Sequence, residues 1–220
     1  MKPYLIIVAG GTGKRMQSDI PKQFLPVKNK AILQHTIDVF VAYNPDIQIV
    51  LVLSELYHKL WRTISQENNY YTEYQIIKGG KERFFSVKNA LDCIPPDCIV
   101  GVHDAVRPCV SKETITRAYA SARRHGNGIP VVPVRESLRE ITNQTSKAVD
   151  RNKFVSVQTP QCFKSDILKK AYTQEFQPSF TDDASVVQAA GYKIHTVKGN
   201  IENIKITEPS DLLIAEIFLP

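Results

Sequence analysis

Val8-Ala9-Gly10-Gly11-Thr12-Gly13-Lys14-Arg15-Met16, closed by Pro21-Lys22-Gln23, is the stretch that decides the fold of this chain. The apolar run from Tyr4 to Val8 reads as a short buried strand, and it discharges into a loop with three glycines and two spaced cations. Glycines let the main chain approach a polyanion closely and adopt φ > 0, so that successive amide N–H groups converge on phosphate oxygens. Arg15 and Lys22 add full positive charges to that cradle. A P-loop ending at Gly13-Lys14 would need glycine at Val8 and a hydroxyl residue at Arg15, and a dinucleotide fingerprint starting at Gly11 would need glycine at Met16. Both motifs fail. The competing account is a glycine turn flanked by solvated basic residues.

Outward from this loop, strand-like and helix-like segments alternate. Apolar spacing predicts a helix over residues 31–40, ended by Asn44-Pro45-Asp46, then a strand over 47–53 and a helix over 55–66 that carries Trp61 as a core residue. Further strands are predicted over 74–77, 98–102 and 129–134, separated by helices over 84–94 and 112–124, the latter capped by Ser111. Near the C-terminus the pattern predicts a helix over 165–174, a helix opened by Thr181-Asp182-Asp183-Ala184 and stopped at Gly191, a strand over 193–197 and a last helix over 211–218. Strand, helix and strand at this spacing mean right-handed crossovers and an α/β fold: a Rossmann-like, doubly wound, mostly parallel sheet. Ligands in such sheets sit outside the carboxyl ends of the strands. The glycine loop, Gly79 to Arg83, and His103 to Pro108 all follow strands.

Residues 135–153 depart from this texture. They read as two short alternating strands joined by the polar turn Asn143-Gln144-Thr145-Ser146. So polar a hairpin cannot offset its own ordering entropy and needs a surface to lie on. We expect a projecting arm that docks on a second subunit of a homodimer, the alternative being a hairpin packed on its own domain. No Gly-, Ser- or Pro-rich linker divides the chain, so residues 1–220 are expected to form a single domain with this arm.

A composition with 43% hydrophobic and 23% charged residues suits a soluble globular protein. No segment approaches the roughly 18 apolar residues of a membrane span, and no apolar leader with a cleavage site opens the chain, so we expect a cytoplasmic protein without membrane contact. Cys93, Cys98, Cys109 and Cys162 form no C-x-x-C pair and are expected to be reduced, mostly buried thiols. The net charge of +6 raises nucleic-acid binding as a rival class. Its cations are scattered singly beside Gly, Asp, Pro or Thr, which suits small polyanions better than a duplex backbone, and we expect no nucleic-acid partner.

The opening loop is followed in order by Gly79-Gly80 with Arg83 and Ser86, His103-Asp104-Ala105-Val106-Arg107-Pro108, Val149-Asp150-Arg151-Asn152, Gln158-Thr159-Pro160-Gln161, Thr181-Asp182-Asp183-Ala184 and Asn203-Ile204-Lys205-Ile206-Thr207. In this order the motifs resemble the 2-C-methyl-D-erythritol 4-phosphate cytidylyltransferase family, within the sugar- and polyol-phosphate nucleotidyltransferases. The resemblance covers nearly the whole chain. It implies transfer of CMP from CTP to 2-C-methyl-D-erythritol 4-phosphate with release of pyrophosphate, a step of non-mevalonate isoprenoid biosynthesis, with Mg²⁺ as cofactor. By that resemblance Arg15 and Lys22 contact the triphosphate and stabilise the transition state, while Arg151 and Lys205 position the polyol phosphate. Asp104, Arg107, Ser137 and Thr159 match groups around the polyol and its phosphate. Ala9, Gly10, Gly11, Gly13, Gly79, Gly80, Arg83 and Ser86 match the nucleotide pocket. Asp104 is left open between a metal contact and the polyol hydroxyls.

Where the family often has threonine and aspartate, this chain has Ser137 and Glu136; the serine keeps the hydroxyl with a less restricted rotamer. A phosphate monoester has a second pKa near ~6, so the nucleophile is largely ionised at neutral pH and no general base is needed. None of the five histidines is therefore expected to be catalytic. A ribitol 5-phosphate cytidylyltransferase shares most of these motifs, and a catalytically silent nucleotide-binding protein is the alternative of another class.

Overall fold

The computed structural model describes residues 3–10 and 20–219. Strand β1 (Tyr4–Val8) sits inside the sheet, with a small antiparallel hairpin, β2 (Pro26–Val27) and β3 (Lys30–Ala31), leading into helix α1 (Ile32–Tyr43). Next come β4 (Gln48–Leu53), a 3-10 turn, α2 (His58–Glu67), β5 (Gln75–Lys78), α3 (Arg83–Leu91), β6 (Ile99–Asp104), α4 (Lys112–His125) and β7 (Asn127–Pro133). The hairpin β8 (Leu138–Thr142) and β9 (Thr145–Val149) precedes β10 (Val155–Val157), β11 (Gln161–Lys164), α5 (Ser165–Ala171), α6 (Asp183–Ala189), β12 (Thr196–Lys198) and α7 (Pro209–Phe218).

The main sheet runs β10-β7-β11-β6-β1-β4-β5, with β12 on the other edge of β7. Strands β6, β1, β4 and β5 are parallel, and β11 is inserted antiparallel between β6 and β7. The expected mostly parallel, doubly wound sheet is present; the antiparallel β11 and the β2–β3 hairpin were not expected. From β1 the chain builds outward through β4 and β5, then returns to place β6 on the opposite side of β1. That reversal opens a crevice between the ends of β1 and β6, where ligands of such sheets bind.

Alternation along β1 explains the two layers. Leu5 and Ile7 face a core with Leu33, Ile37 and Phe40 of α1, Trp61 of α2 and Ile115 and Tyr119 of α4. Ile6 faces the opposite core, with Phe84 and Val87 of α3, Leu168 of α5 and Val187 of α6. Trp61 is fully buried, as expected. Ser111 caps α4 by accepting from the Thr114 amide, and Asp182 caps α6 through Ser185. The last strand begins at Thr196 rather than at residue 193. The Asn127 side-chain amide takes the Lys193 carbonyl and the His195 N–H, replacing ladder bonds there.

Strand ends are stitched to one another at the carboxyl edge. Ala9 N–H reaches the Val52 carbonyl, Ala105 N–H the Val8 carbonyl, Gly79 N–H the Leu53 carbonyl and Ile206 N–H the Val106 carbonyl. This brings the segments after β1, β5 and β6, together with residues 203–207, to one place. Hairpin β8–β9 forms a separate two-stranded sheet. Around it Ile141, Phe154, Val155 and Val157 are exposed apolar side chains.

Candidate active site

A cleft of about 410 Å³ opens at that edge, lined by Ala9, Gly10, Lys22, Gly80, Arg83, Ser86, Asp104 and Lys205 among others. Eight of the residues singled out in the sequence thus meet on one wall. Of three larger hollows, those around Asp97–Ile99 and around Ile47–Gln48 lie at the starting ends of the strands and the third lies between α4 and β12, all away from the switch point. Gly11, Gly13 and Arg15 lie outside the described residues.

One end of the cleft is built on the start of α3. Ser86 is buried, and its oxygen accepts from the Gly80 N–H at 3.0 Å. Gly80 admits no side chain: a Cβ there would stand 2.4 Å from the Phe85 Cβ and 2.9 Å from its carbonyl carbon. Gln23 donates to the Ala9 carbonyl at 2.8 Å, which holds the exit of β1 in place. Both main-chain groups of Ala9 therefore already have partners inside the protein.

Asp104, at the end of β6, is the hub of the other end. Its Oδ2 lies 3.1 Å from Arg107 Nε and 3.2 Å from Lys205 Nζ, while Oδ1 faces Arg83 Nε at 3.8 Å. Burial opposes its ionisation, but Arg83, Lys205 and Arg107 hold its carboxyl well below the usual carboxylate range. Arg107 also donates to the Asn203 carbonyl at 2.7 Å, and Lys22 donates to the Ile206 carbonyl at 2.9 Å. The Asn203-to-Thr207 segment therefore links the cation of the glycine loop to the Asp104 cluster.

Behind Asp104 runs a buried chain of polar groups. Its N–H donates to Thr159 Oγ1 at 3.1 Å, and Thr159 Oγ1 lies 2.9 Å from His103 Nδ1. His103 Nε2 is 3.0 Å from the Arg107 carbonyl, which can only accept, so Nε2 carries the proton and Nδ1 accepts from Thr159. Burial pushes the His103 pKa down to about 4. The Thr159 hydroxyl, expected to contact the polyol, is thus committed to Asp104 and His103 inside the protein. Both ring nitrogens of His103 are likewise engaged.

The expected arm residues are elsewhere. Ser137 and Arg151 are exposed and do not line the cleft of their own chain. Arg151 donates to the Arg135 carbonyl at the base of the arm. Residues not assigned from sequence hold Arg83 and the start of α6 in place. Asp183 is fully buried and binds Arg83 Nη2 at 2.5 Å, and Tyr172 donates to its other oxygen at 2.7 Å. Gln161 spans Asp182 and the Ala184 N–H. The Thr181-Asp182-Asp183-Ala184 motif was visible, but not its partner on α3.

A divalent cation finds little here to hold it. Among the described residues no cluster of three or more His, Cys, Asp or Glu has metal-binding geometry. The oxygens of Asp104 face three cationic side chains, a donor environment that suits an anion's neighbour and not a metal ligand. The thiols are unpaired by disulfides; Cys98 and Cys162 are buried, and Cys93 and Cys109 half-buried. No helix of the described residues is long and apolar enough to cross a membrane.

Known proteins match this arrangement along its whole length. The 2-C-methyl-D-erythritol 4-phosphate cytidylyltransferase family matches residues 4–220. The protein of that name from Bacteroides thetaiotaomicron is 49% identical over 219 residues, covering 100% of both chains. The one from Bacteroides fragilis is 47% identical, covering 97% of this chain and 98% of its own. The crystal structure of the Francisella tularensis enzyme superposes with a TM-score of 0.81 at 33% identity, with 100% of each chain covered. Matched over nearly its full length in sequence and in fold, this chain belongs to the 2-C-methyl-D-erythritol 4-phosphate cytidylyltransferase family.

Proposed function

We propose that this chain transfers CMP from CTP to 2-C-methyl-D-erythritol 4-phosphate. A phosphate oxygen of the polyol attacks the α-phosphorus in line, the bond from that phosphorus to the bridging oxygen breaks, and pyrophosphate leaves. The observation that carries this reading is the pairing, in one cleft, of the Gly80–Ser86 pocket with Asp104 and Lys205, which Arg107 braces from behind. The first is small and lined by main chain, as a pyrimidine ring with its N4 donor and its O2 and N3 acceptors requires. Lys205 of the second is a half-exposed cation at the cleft wall, suited to a phosphate.

In this reading Gly10, Gly11, Gly13, Gly79, Gly80 and Ser86 bind the nucleotide, with Ala9 and Arg83 in the wall of its pocket. Arg15 and Lys22 face the triphosphate and stabilise charge that accumulates on the α-phosphoryl oxygens. Lys205, with Asp104 and Arg107, orients the polyol phosphate, and Thr159 supports Asp104 from behind. Because the attacking oxygen is ionised at neutral pH, positioning replaces general-base catalysis. That fits a His103 with both nitrogens engaged in the protein. A divalent cation such as Mg²⁺ would be held by the triphosphate and water and would lower the charge that Arg15 and Lys22 must meet; Asp104 serves the polyol side.

The chain acts as a single domain in a cytoplasmic homodimer, with the arm of residues 135–153 lying on the partner. Exposed Ile141, Phe154 and Val155 on and beside a two-stranded hairpin support this, since such a hairpin needs a surface to be ordered. Ser137 and Arg151 then complete the partner's active site. The test is pyrophosphate release with CTP and a panel of polyol phosphates. Turnover of 2-C-methyl-D-erythritol 4-phosphate well above that of ribitol 5-phosphate is expected, and equal or inverted kcat/KM values would overturn the choice of polyol.

A further inference from the structure

Arg83 stands between two carboxylates and favours one of them. Its Nη2 is 2.5 Å from Asp183, whereas its Nε remains 3.8 Å from Asp104, beyond hydrogen-bonding distance. Asp183 is preorganised for this. It is fully buried in the first turn of α6, Tyr172 donates to its Oδ1, and the neighbouring residues are locked by Gln161. Burial alone would favour the neutral form of Arg83, but Asp183 and Asp104 keep it firmly charged.

The Asp104 carboxylate divides its oxygens accordingly. Oδ2 serves Arg107 and Lys205, and Oδ1 faces Arg83 without closing on it. Were Asp183 neutral, Asp104 would be the one carboxylate paired with the half-buried Arg83 guanidinium among the described residues. Arg83 would close the 3.8 Å gap, and the carboxylate would turn toward it and away from Lys205.

We propose that Asp183 is a positioning residue for the half of the site that receives the polyol phosphate: by holding Arg83, it keeps Asp104 turned toward Lys205 and Arg107. This rests on the placement of the polyol phosphate at that cluster. Asp183 touches neither substrate and acts through Arg83 and Asp104. Tyr172 supports it from the other oxygen.

Steady-state kinetics with CTP and 2-C-methyl-D-erythritol 4-phosphate varied separately, beside CTP binding by calorimetry, test the proposal. Asp183→Asn should lower kcat/KM for the polyol phosphate on the order of 10- to 100-fold, the scale of losing supporting contacts around a reacting group. The CTP Kd should change less, by about threefold at most, since Arg83 is only one part of the nucleotide pocket's wall and the Gly80–Ser86 end is unaltered. Adding Arg83→Gln to Asp183→Asn removes the freed cation and should restore part of the loss. Tyr172→Phe, which keeps both charges, should shift the polyol-phosphate KM in the same direction by less. Equal losses toward both substrates with no recovery in the double variant would mean that the Asp183–Arg83 pair only fastens α6 to α3, and would overturn the proposal. An unchanged polyol-phosphate KM in Tyr172→Phe, with Asp183→Asn unfolded, would overturn it too. Lys205→Ala separates the two levels. If it leaves the polyol-phosphate KM unchanged, the placement of the polyol is wrong, whereas a raised KM there with none in Asp183→Asn refutes the role of Asp183 alone.

Discussion

Thr159 Oγ1 lies 2.9 Å from His103 Nδ1 and at the same time accepts the Asp104 N–H at 3.1 Å. One hydroxyl therefore joins a neutral imidazole to the main chain of the most heavily paired carboxylate in the described site. Protonating His103 at Nδ1 would leave the Thr159 proton without its acceptor and place a cation beside Arg107 in a buried site.

Stability should accordingly fall in mild acid. His103 titrates at about 4 in the folded chain, below the ordinary imidazole value of 6.5. Above ~6.5 both states are neutral there and nothing is lost; as pH falls below that, the unfolded chain takes up a proton that the folded chain refuses. The loss grows by about 1.4 kcal/mol per pH unit and levels off below about 4, near ~3 kcal/mol in all. His35, lowered chiefly by burial, adds the same sign. Asp104, whose pKa is depressed, adds a further loss only below the ordinary carboxylate pKa. Urea titrations from pH 8 to 4.5 check this, and His103→Gln should flatten the slope; an unchanged slope would mean that another group carries it.

Lys22 and Arg15 are expected to govern the chemical step more than nucleotide affinity. Lys22 is already oriented by the Ile206 carbonyl at 2.9 Å. Replacing either by Ala should cost roughly 10²- to 10³-fold in single-turnover CMP transfer, the usual loss on removing a donor aimed at transition-state charge. CTP titration of the same variants should show a much smaller change. Near-normal turnover in both would take the glycine loop out of catalysis.

Gly80→Ala should damage the nucleotide pocket from within. The added methyl would meet the Phe85 Cβ at 2.4 Å and its carbonyl carbon at 2.9 Å, and the latter is backbone that cannot rotate away. Overpacking of this kind typically costs about 1–3 kcal/mol. Displacing the Gly80 amide also breaks its bond to Ser86. Thermal unfolding should report the first effect and a raised KM for CTP the second. A variant as stable and as tight for CTP as the wild type would show that the loop has room to spare.

Local chemistry made part of this site legible and tertiary geometry hid the rest. The Tyr4–Val8 strand, the Ser111 cap and the Asp182 cap are short-range patterns, and each lies where its residues predict. Strand order is not local: nothing in Gln161–Lys164 announces an antiparallel strand between β6 and β7. Arg83 and Asp183 are 100 residues apart, so their pairing depends on α3 and α6 sharing one face of the sheet. Thr159 was found by motif, but whether its hydroxyl faced the cleft or the core depended on the register of β11 beside β6. Gln23 followed Lys22 in the motif, and only the Ala9 carbonyl 2.8 Å away explains its presence.

Arg151 is expected to serve the active site of the other subunit. In its own chain it is exposed, bonded to the Arg135 carbonyl and absent from the cleft that holds Lys22, Asp104 and Lys205. On and beside the arm the apolar side chains of Ile141, Phe154 and Val155 are open to solvent, and a second copy of this chain would cover them in a two-fold arrangement. An arginine suits the task because its planar fork grips a phosphate in two directions and fixes the attacking oxygen. Arg151→Ala and Lys22→Ala chains should each be inactive as homodimers. Mixed, they form heterodimers in which one site has lost both residues and the other has both intact. Activity should then return on mixing, to at most about half of the wild-type value per heterodimer. Heterodimers isolated through two different tags and still inactive would assign Arg151 to its own subunit.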